Sequence, residues 1–121
     1  MKTRRIFTAV LLTICILASN VMTVYALPPQ PSSFWGSVNI NGANPPAGTV
    51  VSAWINGVKY SQSVVNLYSG VMYYALDVPG DDPSEPGLQG GVEGDTIIFK
   101  LDNLTADQTG IWHTGMNQNV N

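Results

Sequence analysis

After residue 33, apolar side chains alternate with polar or small ones at a period of two, in short runs separated by glycine and proline. In the run at residues 71–78, Met72, Tyr74, Leu76 and Val78 share one side. No segment shows the i, i+3, i+4, i+7 apolar spacing of an amphipathic helix. Alternation at a period of two is typical of strands buried on one face, so the pattern predicts an all-β domain.

The predicted strands are short and closely spaced. Several such strands at intervals of about 8–12 residues favour an antiparallel β-sandwich of about seven strands, with a closed barrel as the alternative. Its expected core includes Val38, Val51, Leu76 and Phe99. The predicted ranges are residues 34–40, 49–55, 58–63, 64–68, 71–78, 96–101 and 110–113, and a last strand begins at residue 118.

The pair Asn56-Gly57 lies between two of these strands. Asparagine and glycine tolerate the positive φ angles of a type I′ turn, and this pair is a strong signal for a two-residue β-hairpin. The hairpin places Ala53 opposite Tyr60. On the other face, it places Trp54 opposite Lys59.

The first 26 residues have a different character. Lys2, Arg4 and Arg5 precede an uncharged, mostly apolar run at residues 6–18, and residues 24–26 match a signal-peptidase site. This order predicts a secretory signal peptide with a helical apolar centre. As a helix, the apolar run reaches about 20 Å against a hydrocarbon core of ~30 Å, so an uncleaved membrane anchor is the weaker interpretation. The expected organisation is a signal peptide at residues 1–26, a proline-rich linker at residues 27–33 and a β-sandwich domain at residues 34–121.

Residues 27–121 carry eight acidic residues and two lysines, a formal charge of −6 with histidine neutral. Nucleic acids and anionic membrane surfaces are bound by clusters of lysine and arginine, so neither is expected as a partner of the mature form. The single cysteine, Cys15, lies in the signal peptide, and no disulfide or thiolate metal site is therefore expected. We expect a protein that is secreted to the extracellular space or held at the cell surface.

Five acidic residues lie in the segment at residues 79–95, which is rich in glycine and proline. Calcium selects oxygen ligands on flexible loops, so a structural calcium ion is one interpretation of this segment. The spacing differs from that of an EF-hand, and a solvated loop without metal is the other interpretation. No other cofactor is expected. The five residues are Asp81, Asp82, Glu85, Glu93 and Asp95.

Trp35 and Trp54 fall on the outward side of their predicted strands. If the strands at residues 34–40 and 49–55 pair as a hairpin, the two indoles face each other, and an exposed aromatic pair can stack a sugar ring or a neighbouring module. In a prealbumin-type topology, these strands lie in different sheets and the indoles separate. Coverage of both side chains by loops is the structural alternative. Trp112 is expected in the core.

The residues give little support to catalysis. His113 is the only histidine, and the chain contains neither a G-x-S-x-G nor an H-E-x-x-H pattern. Two acids on one mobile loop seldom keep the fixed separation that glycoside hydrolysis needs. We therefore expect a protein that is not an enzyme.

Four stretches together resemble a repeat module of large secreted and surface-layer-like proteins of bacteria and archaea: FWGSVNINGANPPAGTVVSAWING, YYALDVPGDDP, EGDTIIFKL and TGIWHTG. The early part also resembles carboxypeptidase-regulatory-like and Cna B-type modules, whose pattern is Gly-x-Val, a turn and then Pro-x-Gly-x-x-Val. Both resemblances imply an immunoglobulin-like or prealbumin-like sandwich that acts as a spacer or binding module. The residues that match the second pattern are Gly36, Val38, Pro46, Gly48 and Val51.

The residues and the resemblance together predict a secreted, non-catalytic structural or binding module with an adhesion or spacer role. Its expected partners are polysaccharides or neighbouring modules of surface proteins. A carbohydrate-binding module that uses Trp35 and Trp54 is the alternative function.

Overall fold

A computed structural model describes residues 27–121, and the signal peptide expected at residues 1–26 lies outside the described residues. The described chain is all-β and forms eight strands. No helix within it is long and apolar enough to cross a membrane. The strands are β1 (Ser32–Ser37), β2 (Val50–Ile55), β3 (Val58–Val64), β4 (Asn66–Tyr68), β5 (Val71–Val78), β6 (Thr96–Leu101), β7 (Leu104–Ile111) and β8 (Asn117–Asn119).

The strands form two four-stranded sheets. The first sheet has the order β4-β5-β1-β8 and the second the order β3-β2-β6-β7. Apolar residues from both sheets form one core cluster, so the domain is a β-sandwich rather than a closed barrel. All strand pairs are antiparallel except β1 with β8, which are parallel. The chain enters β8 beside the start of β1, where the Ser33 N–H donates to the Met116 carbonyl at 2.8 Å, and it then runs in the same direction as β1.

The strands with the clearest alternation lie where the pattern predicts them. β5 and β6 have the predicted bounds, and their predicted apolar sides face inward. β7 is longer than predicted, because it begins at Leu104 and not near residue 110. It lies at the edge of the second sheet and is largely exposed on both faces, so its sequence shows no alternation.

β2 and β8 begin, and β3 ends, one residue away from the predicted position. β1 and β4 differ by more, and β1 ends at Ser37 rather than at residue 40. β1 begins at Ser32, within the predicted linker, because the Ser32 hydroxyl is buried and accepts hydrogen bonds from the His113 N–H and from Gln118 Nε2 at 3.2 Å each. β4 begins only at Asn66, because the chain crosses from the second sheet to the first at the buried residue Val65.

Two-residue turns connect neighbouring strands. At Asn56-Gly57 the φ angles are 49° and 78°, the positive values of the predicted type I′ turn. Ser69-Gly70 joins β4 to β5 with φ angles of 48° and 80°. Because an L side chain is strained at positive φ, glycine at the second position makes both turns less costly.

The register of the hairpin between β2 and β3 is partly as predicted. Trp54 lies opposite Lys59, as predicted. The predicted pairing of Ala53 with Tyr60 is wrong, because a β-bulge shifts the register and Ala53 lies opposite Ser61. The bulged strand thereby packs Tyr60, which is half-buried, against the core.

The core is built around Phe34, whose side chain is 1% exposed. Its ring meets the ring of Phe99, from the other sheet, edge to face with centroids 5.3 Å apart. The ring of Tyr74 lies 6.0 Å from Phe99. Gly110 leaves the space this arrangement needs, because a Cβ atom there would lie 2.7 Å from the Phe34 ring. The cluster includes the predicted core residues Val38, Val51, Leu76 and Phe99.

Trp112 closes one end of the sandwich, as predicted for a core residue. Its side chain is buried, and its Nε1 donates to the Val78 carbonyl at 3.1 Å. The segment at residues 79–95 folds back onto this ring, with the Gly91 N–H donating to the Pro79 carbonyl at 2.8 Å. A Cβ atom at Gly91 would lie only 2.4 Å from Trp112 Cδ1. The base of this loop is therefore packed on the core.

Replacement of Gly91 by alanine is expected to lower the free energy of unfolding by about 2 kcal/mol, or the melting temperature by on the order of 10 °C, because the added methyl group overpacks Trp112. Thermal unfolding followed by near-UV circular dichroism measures both the stability and the tryptophan environment. Leu88→Ala, at an exposed position of the same loop, is the control and should change stability by less than about 0.5 kcal/mol. Unchanged stability of the Gly91 variant would contradict this packing.

Candidate binding face

The outer side of the first sheet carries an exposed surface rich in aromatic and amide side chains, which we call the binding face. Phe34 and Tyr74 are buried, so their chain neighbours in β1 and β5 point outward. Residues directly opposite each other share a face, and the register therefore adds residues from β4 and β8. The binding face consists of Ser33, Trp35, Ser37, Asn66, Tyr68, Val71, Tyr73, Ala75, Asp77, Asn117 and Asn119.

Three aromatic side chains form the centre of the binding face. Trp35, Tyr73 and Tyr68 are 45%, 36% and 73% exposed. The two tyrosine rings meet edge to face with centroids 6.4 Å apart, so each restricts the motion of the other. Trp35 lies opposite Ala75, and Tyr73 lies opposite Ser37. Trp35 and Tyr73 are therefore diagonal neighbours, about 7–8 Å apart, on one face.

Amide groups and one carboxylate lie beside the aromatic side chains. Asn119 is opposite Trp35, and its Nδ2 donates to the Trp35 carbonyl at 3.2 Å. Asn121 Nδ2 donates in turn to Asn119 Oδ1 at 3.1 Å. Asp77 accepts a hydrogen bond from Ser33 Oγ at 2.6 Å. These contacts hold the polar groups in place, and each group keeps capacity for a further hydrogen bond.

The two tryptophans lie on different sheets. β1 and β2 do not pair, so the hairpin that would place Trp35 opposite Trp54 does not form. The indoles are separated, as expected for the alternative in which these strands lie in different sheets. Trp54 is half-buried on the outer face of the second sheet, and Lys100 Nζ lies 4.1 Å from its ring centroid. Its Nε1 donates to Ser52 Oγ at 2.8 Å. A side chain of its own sheet therefore covers Trp54, and it takes no part in the binding face.

Two tyrosines take the place of Trp54 beside Trp35. The alternation in residues 71–78 already places Tyr73 on the side opposite to the apolar residues, and this exposed aromatic residue was a usable signal in the sequence. The position of Tyr68 depends on the register of β4 against β5. A strand of three residues does not determine its own register, so the sequence could not place Tyr68.

The five acidic residues considered for calcium do not converge. Among residues 27–121, no group of three or more histidine, cysteine, aspartate or glutamate side chains is placed to hold a metal ion. Asp81 and Asp95 each accept a hydrogen bond from a backbone N–H of their own loop, at 3.2 and 2.9 Å. Asp82 accepts from the Ser84 hydroxyl and N–H at 2.6 and 2.9 Å, and these two bonds lower the pKa of Asp82. The carboxylates thus stabilise turns, and the described residues do not support the calcium interpretation.

Glu93 makes a separate contact with the segment that follows β7. Its Oε1 lies 2.5 Å from His113 Nδ1, and its Oε2 accepts from the Thr114 N–H at 3.0 Å. The pKa of Glu93 lies below its usual value, mainly because of the hydrogen bond from His113. The hydrogen bond from Thr114 and the charge of His113 lower this pKa further. Glu93 orients the His113 imidazole as a carboxylate orients a catalytic base. A nucleophilic hydroxyl group would have to hydrogen-bond to that ring, and none in the described chain does.

Comparison of the chain with protein-family models, with curated proteins and with solved structures gave no match. The functional interpretation therefore rests on the geometry of the binding face.

Millimolar calcium is expected to leave the melting temperature unchanged, because the carboxylates at residues 79–95 do not form a common site. Thermal unfolding with added calcium chloride, and with a chelator as the control, measures this. A saturable rise in melting temperature that disappears in Asp81→Asn would show instead that the loop rearranges to bind the ion.

The contact of Glu93 predicts a loss of stability in acid. A carboxyl group whose pKa is lowered in the folded state stabilises the fold above its unfolded pKa, and this stabilisation is lost as the pH falls through the folded pKa. In Glu93→Gln we expect lower stability at neutral pH and a flatter pH dependence below the usual glutamate pKa. Chemical denaturation at a series of pH values measures the effect.

Glu85→Gln is the matched control, because its carboxylate lies in the same loop and has no hydrogen bond within the described chain. The two variants should therefore differ in their acid dependence. Parallel pH profiles of the two variants would contradict a specific contact between Glu93 and His113.

Proposed function

We propose that this chain is a secreted, non-catalytic binding module whose binding face holds neutral polysaccharide. The observation that carries the proposal is the exposed group of Trp35, Tyr68 and Tyr73 on a regular sheet. The C–H-rich face of a pyranose ring packs on indole and phenol rings, while the sugar hydroxyl groups bond to neighbouring amides and carboxylates.

The aromatic residues are contiguous, and this distinguishes them from scattered surface hydrophobic residues. Single exposed apolar side chains are common on soluble proteins, whereas a contiguous patch with a polar rim marks an interaction site. Val71 extends the patch next to Tyr68, which it faces across β4 and β5. The amides of Asn66 and Asn119 provide its polar rim.

The charge of the binding face supports a neutral ligand. Asp77 is its only charged residue, and the two lysines of residues 27–121, Lys59 and Lys100, belong to strands of the second sheet. A polymer of uronic acids or sulfated sugars would therefore meet a carboxylate and no cation. Neutral polysaccharide avoids this repulsion.

The aromatic side chains of the binding face are supported by strand pairing and by contact with each other. Trp35 and Tyr73 lie on neighbouring strands, β1 and β5, which pair over six residues. Tyr68 and Tyr73 restrict each other. Side chains held in this way lose little conformational entropy on binding, which favours affinity.

Binding to polysaccharide agrees with the adhesion role that the sequence predicts for a secreted module. Export through a signal peptide at residues 1–26 would place the domain in the extracellular space or at the cell surface. The location of β1 and β2 in different sheets supports a prealbumin-like rather than an immunoglobulin-like arrangement of the sandwich. Such a module, like those that the sequence resembles, would attach to a polysaccharide without changing it.

Replacement of Trp35 by alanine is expected to weaken polysaccharide binding at least about tenfold, because a central aromatic anchor contributes a large share of binding energy. Affinity electrophoresis in gels that contain hydroxyethylcellulose or galactomannan, together with tryptophan fluorescence, measures the loss. Alginate, an anionic polymer, should not retard the protein.

Trp54→Ala is the matched control, because it removes an indole from the opposite sheet. It should retain the affinity of the natural protein, and near-UV circular dichroism should show that both variants are folded. Equal affinity of the natural protein and Trp35→Ala, or an absence of binding across neutral polysaccharides, would contradict the proposal.

A further inference from the structure

The aromatic residues of the binding face form a straight row that crosses the strands obliquely. Trp35 of β1 lies opposite Ala75 of β5, and Tyr68 of β4 lies opposite Val71 of β5. Tyr73 is midway between Ala75 and Val71 on β5 itself. Each step along the row therefore moves one strand sideways and two residues along the strand, a distance of about 7–8 Å between Cα atoms.

The row continues onto β8, where its fourth member is Asn117. β8 runs parallel to β1, and Asn117 lies opposite Ser33, two residues before Trp35. Asn117 is exposed. The step from Trp35 to Asn117 has the same direction as the two steps between the aromatic residues. The row thus crosses all four strands of the first sheet, and its ends lie roughly 22 Å apart.

Polar side chains lie beside the central members of the row. Tyr73 lies between Ser37 of β1 and Asn66 of β4, which are its direct partners. Trp35 lies opposite Asn119 of β8. Amide and hydroxyl groups next to an aromatic ring suit a sugar, whose C–H-rich face packs on the ring while its hydroxyl groups form hydrogen bonds at the rim. A ligand that follows the row can therefore make both kinds of contact at successive positions.

The rings of the row do not share one plane. Tyr68 and Tyr73 meet at an interplanar angle of 70°. A flat crystalline surface could pack on the face of only one of these two rings. A single polysaccharide chain can turn at each glycosidic bond, and it can therefore follow both rings.

We infer, resting on the proposed function, that the binding face takes a single linear chain of neutral polysaccharide along this row and contacts several consecutive sugar residues in its interior. Chains whose sugar rings are joined through equatorial bonds, as in cellulose and mannan, are extended and match a straight row. Amylose winds into a helix and curves away from it. A disaccharide covers only part of the row, which is longer than two sugar rings joined end to end.

The probe is a series of oligosaccharides of increasing length, taken from the polysaccharide that retards the protein. The series is cellobiose, cellotetraose and cellohexaose for hydroxyethylcellulose, and the corresponding manno-oligosaccharides for galactomannan. We expect the hexaose to bind at least about tenfold more tightly than the disaccharide, because it contacts the whole row. Maltohexaose, a fragment of amylose, should bind at least about tenfold more weakly than the extended hexaose. Isothermal titration calorimetry measures these affinities.

Substitutions at the two ends of the row test its course. Tyr68→Ala and Asn117→Ala should each lower the affinity for the hexaose about fivefold, through loss of a stacking contact and of a hydrogen bond. Each should change the affinity for the disaccharide by less than about twofold, because a short ligand can remain at Trp35. Leu67→Ala is the matched control and should retain the natural affinity. Leu67 is exposed on the same strand as Tyr68 but lies opposite the buried Met72, away from the binding face.

Four results would overturn the inference. They are equal affinities for the disaccharide and the hexaose, tighter binding of maltohexaose than of the extended hexaose, stronger retention on microcrystalline cellulose than by soluble chains, and unchanged hexaose affinity in both end variants. If Trp35→Ala still abolishes polysaccharide binding in these cases, the proposed function stands and only the course of the chain is wrong. An absence of binding to every neutral saccharide would overturn both.

Discussion

The edge-to-face contact between Phe34 and Phe99 determines how the two sheets meet. Each ring comes from an inner strand of its sheet, and Gly110 leaves the space that Phe34 occupies. Successive side chains of a strand point to opposite faces, so burial of Phe34 turns Trp35 outward. A slip of one residue would bury Trp35 and expose Phe34, and the loss of the core contacts excludes that register.

The same constraint divides aromatic residues that are adjacent in the sequence between two roles. In β1, Phe34 belongs to the core and Trp35 to the binding face. In β5, Tyr74 belongs to the core and Tyr73 to the binding face. Core packing and surface exposure are thus separated by a single residue step along each strand. The outer side chains can therefore change with little effect on the packing between the sheets.

The space between the sheets is filled at one end of the sandwich and open at the other. At one end, Trp112 fills this space, and the loop at residues 79–95 packs over it through Gly91. Asp81, Asp82 and Asp95 accept hydrogen bonds within that loop, and Glu93 contacts His113. At the other end, residues 106–108 of β7 stand opposite Phe99 alone, and core side chains line an open cleft between the sheets. Loop packing thus closes one end, whereas the end beside the irregularity in β7 stays open.

Local chemistry was sufficient to predict the all-β class, the turn at Asn56-Gly57 and the inward sides of β5 and β6, because alternation and turn preference act over a few residues. It could not assign β1 and β2 to different sheets, because strand pairing is a choice between distant segments of similar pattern. That choice separated Trp35 from Trp54 and brought Tyr73 and Tyr68 to Trp35. In the strands with clear alternation, the sequence by itself determined which side chains face outward, and only the tertiary structure decided which of them share a surface.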